Sequence, residues 1–190
     1  AVPLRMVVTG PDLRKAPIPY VGGWCDPIQS PAGWAQFREI GLTNLHRDII
    51  SKAEMDAYGI KLQVAVFGRP ASPEAVHAKV DAIRAMGLDY NDWAWVISDE
   101  PNAKTYPKWV EAAKAIRQAD PRVRIWCNPG EIQGSTPEAV TAMAPYTDVF
   151  CPYTNHFGQK KDEAYARLLP TIGELKLIYT TPCFDELAPA

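Results

Sequence analysis

The sequence predicts an α/β protein of the (β/α)8 TIM-barrel type, incomplete within this chain because about seven βα strands are visible. Three observations predict this fold. Short apolar runs alternate with amphipathic helical stretches, the runs lack period-2 alternation, and polar or aromatic residues follow nearly every run. Runs without alternation are typical of strands buried on both faces of a parallel sheet. Polar residues after every strand favour a barrel, whose strands all end at one mouth.

Seven short apolar runs are predicted as strands. They are Tyr20–Trp24, Leu42–Arg47, Leu62–Phe67, Trp93–Ile97, Val123–Cys127, Val149–Tyr153 and Leu177–Thr181. The earlier segment Arg5–Gly10 is also strand-like but precedes a stretch rich in proline. We therefore expect residues 1–18 to form a linker or the end of a preceding segment, and residues 19–190 to form a partial barrel domain. Alternatively, Arg5–Gly10 fills the eighth barrel position.

Helix boundaries are marked by capping residues. A hydroxyl residue precedes proline at Ser30–Pro31, Ser72–Pro73 and Thr136–Pro137. The hydroxyl caps a free N–H group, and proline at the first helical position loses no hydrogen bond. After the second of these starts, Val76, Val80 and Ile83 share one helical face. Gly59 and Gly87 stand where helices are expected to end.

Composition and motifs exclude several classes of protein. The formal net charge is only −2, which argues against a nucleic-acid or membrane-surface partner held by bulk electrostatics. No apolar run approaches the ~20 residues of a membrane span. An open doubly wound sheet is the alternative architecture, but neither GxGxxG nor GxxxxGK[ST] follows a predicted strand. The length of 190 residues is short for a barrel of about 250, so we expect a piece of a larger chain or completion by a second chain.

The fourth predicted strand ends in two adjacent carboxylates, Asp99 and Glu100, followed by Pro101. Neighbouring strand residues point to opposite sides, so the chain must turn before both can face a ligand. Two close carboxylates disfavour double ionisation, and one then remains an acid at neutral pH. Cleavage of a glycosidic bond needs such an acid. The alternative interpretation is a helix N-terminus, where acidic residues complement the helix dipole.

This segment resembles the catalytic domain of glycoside hydrolase family 123, and is similar to that of the family 20 hexosaminidases. The resemblance rests on a tryptophan-rich strand, fourth in a βα series, that ends Asp99-Glu100-Pro101-Asn102. It implies that Glu100 is the general acid/base. It also implies that Asp99 assists the substrate's own 2-acetamido group, which attacks the anomeric carbon. An amino-sugar glycan is then the expected substrate, with no cofactor and no metal.

Two other hypotheses remain open. The same segment is similar to the Asn-Glu-Pro motif of clan A glycosidases, although Asp99 stands where that motif has Asn. That resemblance keeps Glu100 as the acid/base and requires a nucleophile, for which Glu186 is the candidate. The second hypothesis is a non-catalytic carbohydrate-binding fragment, because an incomplete barrel need not hold a working site.

Residues at other strand ends are candidates for substrate binding. Aromatic rings can stack on the C–H faces of sugars, and amide, imidazole and carboxylate groups can bond their hydroxyls. The candidates are Trp24, His46, Asp48, Trp126, Asn128, Tyr153, Asn155 and Tyr179. For each aromatic residue the alternative is core packing, and for each Asn it is a turn. His46 and Asp48 with His156 are the alternative set for a metal ion. The expected partner is an oligosaccharide or glycan.

Overall fold

The computed structural model describes residues 31–39, 43–46, 49–129, 137–150 and 177–178. The helices are α1 Pro31–Glu39, α2 Lys52–Tyr58, α3 Pro73–Ala85, α4 Tyr106–Ala119 and α5 Pro137–Met143, and a 3-10 turn covers Ala144–Tyr146. The strands are β1 Asn44–His46, β2 Leu62–Val66, β3 Trp93–Val96, β4 Ile125–Cys127, β5 Val149–Phe150 and β6 Leu177–Ile178. Each strand falls inside a predicted apolar run. The predicted strand Tyr20–Trp24 and the predicted linker 1–18 lie outside the described residues.

The six described strands form one parallel sheet in the order β1-β2-β3-β4-β5-β6. The predicted parallel α/β architecture is therefore confirmed. A doubly wound sheet reverses its strand order at a switch point. No such reversal occurs among the strands that the structure describes. Because parallel crossovers are almost always right-handed, a constant direction of winding places successive helices on the same face of the sheet.

The two faces of the sheet have different coverings. One face packs against the helices, and its core includes Val76, Val80 and Ile83 of α3 together with Trp109 and Ile116 of α4. The opposite face carries a second buried cluster to which only strands contribute. Its members are Leu62, Val64, Ala94, Val96, Trp126 and Val149. Helices α2 to α5 therefore cover one face, and strand side chains pack together on the other.

The predicted helix boundaries are confirmed where the structure describes them. Ser72 caps α3, since its hydroxyl oxygen accepts a hydrogen bond from Ala75 N at 3.3 Å. Gly59 ends α2 with φ 70°, and Gly87 follows α3 with φ 82°. The start of α2 is set by a capping box that joins Ser51 to Glu54. Among the described residues, no helix has both the length and the apolar character needed to cross a membrane.

A single arginine fastens the end of α4 to the starts of two strands. The guanidinium of Arg117 donates to the backbone oxygens of Pro121, Val123 and Tyr146 and forms an ion pair with Asp148. The Asp148 carboxylate also accepts a hydrogen bond from Ile125 N at 2.7 Å. These contacts fix the start of β4 along the strand direction of the sheet. They therefore also determine where the residues after β4 emerge at the carboxyl edge.

Candidate active site at the carboxyl edge of the sheet

Asp99 and Glu100 lie in the turn that follows β3. Every residue of β3 is buried and Ile97 is still 2% exposed, whereas Asp99 and Glu100 are both exposed. The chain has thus left the strand before it reaches the two carboxylates, as the sequence predicted. Helix α4 begins only at Tyr106 and has no acidic residue in its first turn. The interpretation of the pair as helix-dipole partners is therefore wrong.

The backbone of Glu100 is strained. Among the described residues it is the one non-glycine with positive φ, at 43°. A side chain in this region brings Cβ close to the following carbonyl oxygen, at a cost of roughly 1–2 kcal/mol. The next residue, Pro101, is buried and restricts the conformation of Glu100 further. Backbone strain of this kind persists where the surroundings hold it, and it concentrates at functional sites.

Asp99 is held by a buried amide on the neighbouring strand. Asn128 directly follows β4, and its Nδ2 donates a hydrogen bond to Asp99 Oδ1 at 2.5 Å. Asn128 is only 4% exposed, while the Asp99 side chain is open to solvent. Asn128 Oδ1 is buried and accepts no hydrogen bond from any described residue. The arrangement orients one carboxylate oxygen of Asp99 and leaves a buried acceptor beside it.

Trp126 lies deeper in the sheet. It is 2% exposed, and in the strand-only cluster its Cα pairs with Val96 on one side and Val149 on the other. This placement is the one expected of a core side chain, and a role for Trp126 in binding stays a prediction.

His46 is the last residue of β1, and its Cα pairs with Val64. Since the strands are parallel, His46 ends at the same edge of the sheet as Asp99 and Asn128.

The other predicted site residues lie outside the described residues. They are Trp24, Asp48, Tyr153, Asn155 and Tyr179, together with the alternative nucleophile Glu186 and the alternative metal ligand His156. Their roles stay predictions. Within the described ranges, no three His, Cys, Asp or Glu side chains are grouped as a metal ion would require.

Two features at the end of β2 were not predicted from the sequence. Val66 is 52% exposed although it belongs to an apolar run, and its Cα pairs with the buried Val96. Gly68 has φ 75°, and its carbonyl oxygen accepts a hydrogen bond from Trp95 Nε1 at 2.7 Å. A glycine just after an apolar run was the available signal for the second feature. The exposure of Val66 depends on its position at the rim of the sheet, which the sequence does not mark.

The comparisons with known proteins add little to this geometry. No protein-family model matches the sequence, and no curated protein matches it. Among solved structures, a GH39 β-xylosidase from Caulobacter crescentus matches with a TM-score of 0.47 and 13% sequence identity. The match covers 80% of this chain and 49% of that chain, so it spans about half the length of the xylosidase. A likeness of this size supports no inference about activity.

Proposed function

We propose that this chain carries the acid/base site of a glycoside hydrolase that acts on glycans containing 2-acetamido sugars, similar to family 123. The observation that carries the proposal is the Asp99–Glu100 pair. Both carboxylates are exposed just beyond a fully buried strand, and one of them is oriented by the buried amide of Asn128. The strained backbone of Glu100 supports a functional reason for this conformation.

In the proposed reaction Glu100 acts first as an acid. Its carboxylic acid donates a proton to the glycosidic oxygen as the bond from that oxygen to the anomeric carbon breaks. The acetamido carbonyl oxygen of the substrate attacks the same carbon and closes a five-membered ring. Water then attacks the anomeric carbon, the ring opens, and the Glu100 carboxylate takes the proton from that water. Two inversions give net retention of configuration, and no enzyme nucleophile is needed.

Asp99 has a separate task in this scheme. Positive charge develops on the acetamido nitrogen as its carbonyl oxygen attacks, and a carboxylate that accepts the N–H stabilises that charge. Asn128 supports this role because its donated hydrogen bond fixes one Asp99 oxygen and leaves the other to accept from the substrate. An exposed carboxylate without such a support would sample several rotamers and lose positional precision.

We further propose that the sheet closes into a barrel through parts of the chain, or of a partner, outside the described residues. The constant strand order supports closure, because a barrel is a singly wound parallel sheet. The strand-only apolar cluster also supports it, since side chains of the strands alone fill the interior of a barrel. In that arrangement Asp99, Glu100 and Asn128 lie at the mouth.

The first test uses Glu100→Gln and Asp99→Asn, with Glu111→Gln as the matched control on the exposed face of α4. On a 4-methylumbelliferyl 2-acetamido-2-deoxy-β-glycoside we expect both site variants to lose activity by about 10²–10⁴-fold and the control to lose none. A 2,4-dinitrophenyl leaving group needs little protonation, so Glu100→Gln should regain activity on that substrate and Asp99→Asn should not. Wild-type turnover by either site variant would reject the proposal.

A second test separates the alternatives. If Glu186→Gln abolishes turnover and a covalent glycosyl-enzyme accumulates on a slow substrate, the clan A route applies in place of substrate assistance. If the wild-type protein binds glycans but hydrolyses neither acetamido nor plain β-glycosides, the chain is a carbohydrate-binding module. Hydrolysis that survives Glu186→Gln and is inhibited by a thiazoline mimic of the cyclised intermediate supports the proposed mechanism.

A further inference from the structure

We propose that Val66 is a substrate-binding residue whose isopropyl group packs against the C–H groups of the sugar ring held at the Asp99–Glu100 pair. This inference rests on the proposed function and adds an apolar contact to its two carboxylates. It starts from the exposure of Val66, which is 52%, whereas Leu62 and Val64 on the same strand are 0% and 1% exposed. Val66 is therefore the residue of β2 at which a ligand can reach an apolar side chain.

Val66 points to the strand-only face of the sheet. Side chains alternate along a strand, so Val66 shares a face with Leu62 and Val64, which belong to the buried cluster there. The Cα of Val66 pairs with that of Val96, another member of this cluster. Val96 is 0% exposed and Val66 is not covered, so the packed cluster ends at this level of the sheet.

The strand register places Val66 beside the turn that carries the two carboxylates. β3 ends at Val96, the strand partner of Val66, and Asp99 follows three residues later. With about 4.8 Å between neighbouring strands and about 3.3 Å of rise per residue, the Cα atoms of Val66 and Asp99 are roughly 11 Å apart or less. Both side chains extend into this gap, and the space that remains has the size of one sugar ring.

The backbone that follows Val66 is held in place and leaves the residue uncovered. The N–H groups of Phe67 and Gly68 both donate to Val96 O at 3.1 Å. Gly68 O accepts a hydrogen bond from Trp95 Nε1 at 2.7 Å. Gly68 has φ 75°, and a methyl group placed on it would meet no atom within 4 Å apart from its chain neighbours. Because a β-branched side chain has few rotamers, contact with a ligand costs Val66 little conformational entropy.

A sugar ring offers both kinds of surface that this part of the site can bind. Its hydroxyl and acetamido groups donate hydrogen bonds to carboxylates, whereas its C–H groups gain free energy from contact with an apolar side chain. A hydroxyl group directed at Val66 would have no partner there and would lose its bonds to water. Val66 thus selects the orientation in which a C–H side of the ring faces β2.

The first experiment is ligand protection of an introduced thiol. Iodoacetamide alkylates Val66→Cys and the control Met86→Cys, with and without a thiazoline derived from N-acetylglucosamine or from N-acetylgalactosamine. Mass spectrometry of the peptide that contains each position gives the rate of alkylation. Met86 is the matched control because it is also a large apolar residue that is exposed, at 37%, but it ends α3 on the way to the start of β3.

We expect the ligand to protect position 66 only. With the thiazoline at about 10 times its Kd for the variant, alkylation at position 66 should slow by about 10-fold, because only the ligand-free fraction reacts. Alkylation at position 86 should keep its rate.

The second experiment compares affinities in variants that keep the shape of the side chain. Val66→Thr replaces one methyl group by a hydroxyl group, and we expect its Kd for the thiazoline to rise by about 3–10-fold through the lost apolar contact. Met86→Thr should bind as the wild type does. Urea unfolding of Val66→Thr is the readout that separates binding from folding, since a structural role would change stability together with affinity.

Three results would overturn the inference. They are equal alkylation at position 66 with and without bound thiazoline, equal protection at positions 66 and 86, and an unchanged Kd in Val66→Thr. In these cases the proposed function stands, since the thiazoline binds. If Val66→Cys does not fold, the Kd of Val66→Thr decides. A wild type that binds neither thiazoline rejects the substrate-assisted function and this inference with it.

Discussion

Glu100 carries a backbone conformation that a side chain adopts only when its surroundings impose it. Glu100, with a φ of 43°, lies between Asp99, whose side chain accepts a hydrogen bond from Asn128, and the buried Pro101, so both of its neighbours are held in place. Relaxation of Glu100 alone would require one of these neighbours to move. The strain is therefore stored locally, and what it secures is the position of one carboxylate at the edge of the sheet.

Substitution of Glu100 by glycine tests this strain. The change removes the Cβ that makes positive φ costly, which stabilises the folded state by roughly 1–2 kcal/mol. It also gives the unfolded chain more conformational entropy, which lowers stability by about 0.5–1 kcal/mol. We expect Glu100→Gly to be as stable as the wild type, or more stable by up to about 1.5 kcal/mol, in urea unfolding. Glu111→Gly, in the interior of α4, should lose about 1 kcal/mol. Equal losses in the two variants would contradict the assignment of strain.

At the scale of the element, α4 is the helix that connects the site to the rest of the sheet. It begins after the Asp99–Glu100 turn and ends at contacts that fix the starts of β4 and β5. Two polar clusters lie at its C-terminal end. One is centred on Arg117 and the other on Asp120, and each gives a separate prediction.

Replacement of Arg117 by lysine should destabilise the protein. The planar guanidinium donates to several backbone carbonyls and to Asp148 at once, and an ammonium group cannot reproduce that geometry. We expect Arg117→Lys to lower the free energy of unfolding by about 1–3 kcal/mol. Arg84→Lys, at an exposed position of α3, is the control and should change it by less than about 0.5 kcal/mol. Chemical denaturation of the wild type and both variants measures these changes in the free energy of unfolding.

Asp120 should make stability depend on pH in the acid range. Its carboxylate accepts from Arg122 Nε at 3.0 Å and from the Tyr90 hydroxyl at 2.6 Å, and the Arg122 bond is the main reason that the pKa of Asp120 falls to about 2. The pKa of Tyr90 is raised, chiefly by burial and then by this bond. A lowered folded-state pKa stabilises the protein above the unfolded-state value of 3.8, and that contribution is lost as the pH falls to about 2.

The measurement is urea unfolding of the wild type and Asp120→Asn between pH 7 and pH 2. We expect the wild type to be more stable by a constant amount above about pH 4, and this advantage to shrink progressively towards pH 2. Asp81→Asn, at an exposed position of α3, should track the wild type within about 0.5 kcal/mol throughout. An advantage that stays constant down to pH 2 would contradict the role of the ionised Asp120.

At the scale of the whole molecule, one face of the sheet carries a buried apolar cluster whose members all belong to the described strands. Val64 is 1% exposed and Val66 is 52% exposed, two positions apart on β2 and therefore on the same face. The exposure thus rises towards the carboxyl edge, where Asp99 and Glu100 lie. The proposed barrel, with a packed interior and an open mouth, would give this gradient.

A matched pair of substitutions tests this gradient. Threonine is close to valine in shape but brings a hydroxyl group. At Val64 the hydroxyl would be buried in the strand-only cluster, so we expect Val64→Thr to lower the free energy of unfolding by about 1–3 kcal/mol. At Val66 it would reach solvent, so we expect Val66→Thr to change stability by less than about 0.5 kcal/mol. A negligible effect at Val64 would contradict its burial, and a loss of about 1–3 kcal/mol at Val66 would contradict its exposure.

Local signals in the sequence predicted local structure well. Ser72–Pro73 predicted the start of α3 and Gly59 predicted the end of α2, because a cap or a left-handed glycine acts within one turn of chain. The position of Asp99 and Glu100 just after a buried strand was also predicted. The capping box at Ser51 and Glu54 is an equally local feature, a hydroxyl residue three positions before a glutamate, and it was not predicted.

By itself, the sequence determined the alternation of strands and helices and the position of two carboxylates after β3, since these follow from hydrophobic patterning along adjacent residues. Only the tertiary structure decided that Asn128 bonds Asp99 across 29 positions of chain, because the pairing of Val96 with Trp126 sets the register of β3 and β4. It alone also decided the positive φ of Glu100. No glycine marks that position, and its neighbours are held by a long-range hydrogen bond on one side and by burial on the other.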